Sequence, residues 1–192
     1  MKSNKVTVNP SIHLVAYSEA FALNKVAIQI STEIKIAKPD NIGSIIAYNL
    51  IVGLAIELYF KAIMIFGRNG IITKGHELKE LYKEFPSYIK SSLEKYYKES
   101  IKEDESIINI VAITLSEKSP NGPQQPAIEK KYSTFYEAID AYSDEFVRSR
   151  YIFEDVKNNE WIYIDYPFIY GNAMLLALRN TYNDLVDKKQ KK

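Results

Sequence analysis

The sequence contains no cysteine and only two histidines, His13 and His76. Without cysteine, the chain can form no disulfide framework, no thiolate metal site and no cysteine nucleophile. Nothing distinctive surrounds His13, so a metal site built on paired histidines has little support. The HExxH, P-loop, GxGxxG and GxSxG motifs are also missing. We therefore expect neither a metal nor another cofactor.

The chain also lacks a strong excess of charge of one sign. It has 25 basic and 24 acidic residues, and four of the basic ones are lysines in the final five positions, KKQKK. The rest of the chain therefore carries 25 less 4, or 21, basic residues against 24 acidic ones. Non-specific polynucleotide binding needs dense basic surfaces, so we expect any RNA contact to be local. We interpret residues 1–187 as one domain and residues 188–192 as a solvated basic tail.

No apolar run of signal-peptide length occurs at the start of the sequence, so we expect a cytoplasmic protein. The stretch Ile42–Phe66 is long enough to cross a bilayer. As a membrane span it would place Asn49, Glu57 and Lys61 at membrane depth, where each charge costs on the order of 3 kcal/mol. We therefore predict a buried helix and no membrane partner.

Apolar residues recur at helical spacing along most of the chain. The pattern predicts helices over residues 11–36 and about 41–66, a short helix opening near His76, and a helix with Pro86 in its first turn. Further helices are predicted from residue 128 to about 148 and from Pro167 through residue 185.

Three segments depart from this helical pattern. Residues 107–115, IINIVAITL, fit either a helix or a strand, and residues 116–127, with three prolines and one glycine, are predicted to form a long loop. Residues 151–166 contain two β-rich arms around Asn158 and Asn159. The predicted fold class is all-α, an up-and-down helical bundle with a small β-hairpin near residues 151–166.

Charged residues interrupt the most apolar helix. Glu57 and Lys61 are four residues apart, which favours an ion pair within the helix. On so apolar a helix the pair is partly desolvated, and desolvated charges are either paired for structure or present for function. Glu57 and Lys61 can therefore be a structural pair or one wall of a polar cleft.

Arg68, Asn69 and His76 follow the same helix. Arg68 can interact with the negative end of the helix dipole, and His76 can cap or pack at the start of the next helix. Near the positive end of that helix dipole a neutral imidazole is favoured and can accept a proton. A neutral histidine and an arginine are the minimum for metal-free RNA cleavage: the imidazole takes the 2′-hydroxyl proton and the guanidinium stabilises charge on the phosphate.

The segment RSRY, residues 148–151, places two guanidinium groups and a ring next to the predicted hairpin. Arg148, Arg150 and Tyr151 could hold a phosphate or a base, whereas bridging to Glu154 or Asp155 would be structural.

The block AIELYFKAIMIFGRNGIITKGHELKELYKEF, residues 55–85, resembles the signature of HEPN domains: an E-L-x-x-K helix, a glycine-containing turn and a G-H-x-L helix. The segment RSRYIFED resembles an Arg-Tyr segment found late in many HEPN-like proteins. The resemblance implies an α-helical bundle that commonly forms homodimers. Many family members are metal-independent endoribonucleases of toxin–antitoxin, abortive-infection or antiviral defence systems, and others are non-catalytic RNA-binding or partner-binding modules.

By this resemblance, the expected catalytic residues are His76 as the base, Arg68 as the phosphate stabiliser and Asn69 as an orienting polar group. The family motif has four to six residues between arginine and histidine, whereas seven residues, 69–75, separate them here. The remaining cleft or RNA-binding residues are expected to be Glu57, Lys61, Arg148, Arg150 and Tyr151. The implied partners are a second copy of the chain, RNA, and a protein such as an antitoxin; the alternative is a non-catalytic dimerisation or partner-binding module.

Overall fold

The computed structural model of this chain describes residues 5–36, 42–101, 109–114, 132–150, 161–166 and 168–191. Within these residues the fold is an all-α bundle with two small antiparallel sheets, which confirms the predicted class. The helices are α1 (Ile12–Ile36), α2 (Ile42–Gly67), α3 (Leu78–Lys83), α4 (Ser87–Ile101), α5 (Phe135–Arg150) and α6 (Phe168–Gln190). The strands are β1 (Lys5–Thr7), β2 (Ile71–Thr73), β3 (Asn109–Thr114) and β4 (Trp161–Tyr166).

Helix α2 is the central element, as its nearly continuous apolar sequence predicts. It packs against α1, α3, α5 and α6, and most of its side chains are buried. By length and composition the span Gly43–Gly67 could cross a membrane, but 61% of an apolar 18-residue window within it is buried inside the fold. The largest fully buried side chains of the core include Tyr48, Tyr59, Phe60, Tyr97, Phe135, Tyr142 and Phe146.

Two glycines let neighbouring helices approach α2 closely. A Cβ atom at Gly53, in the middle of α2, would lie only 2.1 Å from the ring of Phe146 on α5. A Cβ atom at Gly171, on α6, would lie 2.7 Å from the hydroxyl of Tyr48. Both helices therefore pack against α2 at distances that a larger residue would prevent.

Strand β4 occupies the second arm of the predicted hairpin, and its partner is β3. The register runs from Asn109 opposite Tyr166 to Thr114 opposite Trp161. Most of the ambiguous segment 107–115 is therefore a strand. The first hairpin arm and the predicted loop at residues 116–127 lie outside the described residues.

The end of α2 is fixed by a tight turn. Asn69 has a left-handed backbone with φ 51°, and the Gly70 N–H donates to the carbonyl of Ile65 over 2.8 Å. This six-to-one hydrogen bond is the Schellman ending of a helix, in which asparagine or glycine adopts the left-handed conformation. The chain then enters β2, which pairs with β1 and leads to His76.

The last helix continues beyond the predicted domain boundary at residue 187 and ends at Gln190. Lys189, which the sequence pattern assigns to the basic tail, lies within this helix, and its Nζ atom lies 4.7 Å from the centroid of the Phe66 ring.

Candidate functional site

Three of the predicted residues meet at the carboxylate of Glu57 in the middle of α2. The side chain of Glu57 is only 7% exposed. Its Oε1 atom accepts hydrogen bonds from Lys61 Nζ at 2.6 Å and from His76 Nδ1 at 2.7 Å. The Lys61 contact follows from the four-residue spacing on a helix, whereas the His76 contact spans 19 residues and depends on tertiary packing.

The position of His76 is set by the turn before α3 and by the packing of that helix. Gly75 has φ +136°, a conformation that L side chains rarely adopt. Immediately after His76, α3 buries Leu78 and Leu81 in the core. The backbone N–H of Lys79 donates to Ser143 Oγ of α5 at 3.2 Å, which fixes the start of α3. Packing therefore brings His76 back onto α2.

The imidazole of His76 is anchored on one side and open on the other. Its side chain is 69% exposed, although its Nδ1 contacts a buried carboxylate. An ionised carboxylate only accepts hydrogen bonds, so we assign the ring proton to Nδ1. In this tautomer the Nε2 lone pair is available to accept a proton. A histidine oriented by a carboxylate through Nδ1 is the arrangement used by many general bases.

The second oxygen of Glu57 is buried and has no hydrogen-bond partner among the described residues. A buried polar atom without a partner costs about 1–3 kcal/mol. Lys61 and His76 both bind Oε1, so one oxygen of the carboxylate has two hydrogen-bond partners and the other has none among the described residues.

Arg68 is directed to a different carboxylate. Its Nη1 atom lies 3.3 Å from Glu84 Oε2, and its Nη2 atom donates to the Glu84 backbone carbonyl. Lys5 Nζ of β1 lies 3.6 Å from the same Oε2 atom. Arg68 follows Glu57 by 11 residues, which is about 16 Å along a helix axis. Arg68 and His76 therefore bind different carboxylates, those of Glu84 and Glu57.

Asn69 has a structural position at the end of α2. Its left-handed conformation allows the hydrogen bond from Gly70 that terminates the helix. The fold thus gives the backbone of Asn69 a structural role at the end of α2.

Two of the remaining predicted residues, Arg148 and Arg150, lie at the end of α5. The backbones of Arg148 and Arg150 lie in its last turn, but their side chains and the whole of Tyr151 lie outside the described residues. His13, set aside in the sequence, packs against α6: its Nδ1 lies 2.6 Å from the Tyr182 hydroxyl. Burial, and then the charge of Lys189, lower the pKa of His13.

Sequence reasoning missed Glu84 and Ser143, which hold Arg68 and the start of α3. Glu84 follows Arg68 by 16 residues, and Ser143 follows Lys79 by 64 residues, so no local periodicity links either pair. Among the described residues, no group of three or more histidine, aspartate or glutamate side chains could hold a metal ion.

Comparisons of the chain with protein-family models, with curated proteins and with solved structures found no match.

Proposed function

We propose that this chain is a HEPN-like cytoplasmic protein of bacterial stress or phage defence, and that it acts on RNA as a metal-independent endoribonuclease. The observation that supports this proposal is the Nδ1–carboxylate contact of 2.7 Å between an exposed His76 and a buried Glu57. A base that is held by its neighbour and open to solvent is what removal of a ribose 2′-hydroxyl proton requires.

In the proposed reaction, His76 Nε2 takes the 2′-hydroxyl proton, and the 2′-oxygen attacks the adjacent phosphorus. The bond from phosphorus to the 5′-oxygen breaks, and that oxygen takes a proton from water. The protonated His76 then gives its proton to the resulting hydroxide, which restores the neutral imidazole. The products are a 2′,3′-cyclic phosphate and a 5′-hydroxyl end. Glu57 orients the imidazole, and the ammonium group of Lys61 supplies positive charge for the phosphate. Arg68, which the sequence assigns to the phosphate, instead supports the fold through Glu84.

Cleavage of single-stranded RNA in excess EDTA tests these roles. Wild-type protein should produce cyclic phosphate ends, His76→Ala should lose cleavage by about 100-fold or more, and Arg68→Met should retain it. His13→Ala is the matched control, because it removes the only other histidine of the chain. Undiminished cleavage by His76→Ala would rule out the assigned base.

A second candidate function is a non-catalytic HEPN-like dimerisation or partner-binding module. It is favoured by the engagement of Arg68, whose guanidinium contacts both the carboxylate and the backbone carbonyl of Glu84. Both terminal nitrogens of Arg68 thus contact Glu84, as in a structural ion pair. Purified wild-type protein that leaves total RNA intact, and whose overproduction does not arrest growth, would favour this module and its protein partner, such as an antitoxin.

A further inference from the structure

One exposed aromatic ring of the bundle lies on the surface that leads away from His76. Nine large hydrophobic residues are exposed in the described part of the chain, and only two of them, Tyr88 and Tyr136, are aromatic. Tyr136, on α5, is 40% exposed, and its ring centroid lies 5.7 Å from that of the buried Tyr82 on α3. The contact with Tyr82 supports the Tyr136 ring at the surface, where a partner with a flat face can stack on it.

The α3–α5 seam, formed by Lys79, Tyr82, Tyr136 and Asp140, connects this ring to His76. Lys79 of α3 forms an ion pair with Asp140 of α5, whereas Tyr82, three residues later, contacts Tyr136, four residues earlier than Asp140. The two helices therefore run in opposite directions, and His76, three residues before Lys79, lies beyond the other end of the seam. At most three residues of extended chain and three of helix separate His76 from Tyr82, so their backbones are at most about 15 Å apart. A few nucleotides of a single strand can span this distance.

A lysine that forms no ion pair among the described residues lies next to the two rings. The Nζ atom of Lys90, on α4, lies 5.4 Å from the centroid of the Tyr82 ring and donates to the backbone carbonyl of Lys83 over 2.9 Å. The neighbouring Lys83 is itself paired with Glu80. The positive charge of Lys90 is therefore not neutralised by a carboxylate in this part of the structure, and a phosphate oxygen can accept its remaining protons.

We propose that the α3–α5 seam binds single-stranded RNA beside the scissile phosphate, with Tyr136 stacked on a base and Lys90 bound to a phosphate. Aromatic rings stack on the bases of single strands whatever their sequence, and cationic side chains follow the backbone. The middle of the seam is the Lys79–Asp140 ion pair, whose side chains are 38% and 44% exposed, whereas the core of a protein interface is depleted in charge. The proposal rests on the proposed function, because it extends the substrate site outward from His76.

Binding of a labelled single-stranded RNA whose riboses all carry 2′-O-methyl groups tests the seam without cleavage. In fluorescence anisotropy, Tyr136→Ala should weaken binding by about tenfold or more, because a stacked base is lost, and Tyr136→Trp should stay within about threefold of wild type. Tyr88→Ala, at the other exposed tyrosine, is the matched control and should bind as wild type does. A strand of the same length without bases should bind wild type and Tyr136→Ala equally. Far-UV circular dichroism checks that each variant is folded.

The phosphate contact of Lys90 is tested by the salt dependence of the same binding. Lys90→Gln should weaken binding of both strands, with and without bases, and should lower the slope of log affinity against log salt by about 0.7. Lys95→Gln is the matched control, because Lys95 lies on the same helix with its Nζ atom 4.9 Å from the centroid of the Tyr96 ring. It should leave the slope unchanged. An unchanged slope in Lys90→Gln would contradict the assigned phosphate contact.

Cleavage kinetics separate this proposal from the proposed function. Tyr136→Ala should raise KM by about tenfold and leave kcat within about twofold of wild type, whereas His76→Ala should lose cleavage and still bind the methylated strand. Binding that depends on Tyr136 without any cleavage would contradict only the proposed function. Cleavage that depends on His76, with unchanged affinity in Tyr136→Ala, would contradict only the RNA seam. A wild-type protein that does not bind the methylated strand would also overturn the seam proposal, and would favour a protein partner there.

Discussion

The carboxylates of Glu57 and Glu84 each form an ion pair, with Lys61 and with Arg68, but they differ in their exposure to solvent. Glu57 is buried in the middle of α2, with a side chain 7% exposed, and binds Lys61 and His76 through one oxygen. Glu84 follows the end of α3, is 35% exposed, and binds Arg68 and Lys5. One carboxylate lies beneath an open imidazole, and the other joins three chain segments.

The two carboxylates also differ in which of the surrounding polar atoms are hydrogen-bonded. Arg68, just after α2, contacts both the carboxylate and the backbone carbonyl of Glu84, just after α3. This contact ties the end of α2 to the end of α3. At Glu57, one carboxylate oxygen has two partners, and the other has none among the described residues. His76 contributes Nδ1 to this contact, and its side chain is 69% exposed. The Glu84 contacts therefore join chain segments, whereas the Glu57 contacts leave an exposed imidazole above a buried carboxylate.

The largest difference in stability is expected when the carboxylates of Glu57 and Glu84 are removed one at a time. Glu57→Ala should lower the free energy of unfolding by on the order of 3 kcal/mol, because it leaves Lys61 without its buried partner. Glu84→Ala should lower it by at most about 1 kcal/mol, because its ion pairs are partly exposed to solvent. Urea unfolding monitored by far-UV circular dichroism measures both values. Equal losses would contradict the distinction between a buried and a surface carboxylate.

Replacing both members of the buried pair should separate stability from activity. Glu57→Met/Lys61→Met should unfold within about 1 kcal/mol of wild type, because apolar residues of similar volume often replace a buried ion pair without loss. The same variant should lose RNA cleavage, because His76 is no longer oriented. Thermal unfolding and the EDTA-resistant cleavage assay measure the two effects. A stable and fully active double variant would show that Glu57 does not position the base.

The sequence predicts contacts made within a helix better than contacts made between helices. The apolar run of α2 and the four-residue spacing of Glu57 and Lys61 both depend on local periodicity, and both predictions agree with the structure. The contacts of His76 with Glu57 and of Arg68 with Glu84 instead span 19 and 16 residues, and they form because α3 packs back against α2. Likewise, β-strand composition identifies β4, but its partner β3 lies about 50 residues earlier in the chain.

A smaller effect is expected at the edge of the bundle. Arg68→Met should lower the free energy of unfolding by about 1 kcal/mol, because hydrogen bonds to a partly exposed carboxylate and to a carbonyl are lost. RNA cleavage should remain within about threefold of wild type, since Arg68 would not bind the phosphate. A large loss of cleavage with unchanged stability would restore Arg68 to the catalytic role expected from the sequence.

The smallest effect on stability is expected at His13, at the start of α1, whose ring contacts Phe66 near the end of α2. Burial and the nearby charge of Lys189 lower the pKa of His13 from its usual value of 6.5. The unfolded state therefore binds more protons than the folded state, so stability is fully present above about pH 6.5 and is lost as the pH falls. His13→Gln should reduce this acid dependence between pH 7 and pH 5, as measured by urea unfolding at each pH. An unchanged acid dependence would assign it to other groups.

The orientation of His76 by Glu57 is tested most directly by determining the tautomer of His76. Long-range proton–nitrogen NMR correlation shows which ring nitrogen carries the proton. With only two histidines in the chain, His13→Gln assigns both sets of signals. We predict that neutral His76 carries its proton on Nδ1 in the wild-type protein, and that Glu57→Met shifts it toward the Nε2-protonated form, which is usual for free imidazole. A wild-type His76 protonated on Nε2 would contradict the proposal that Glu57 holds this residue as a base.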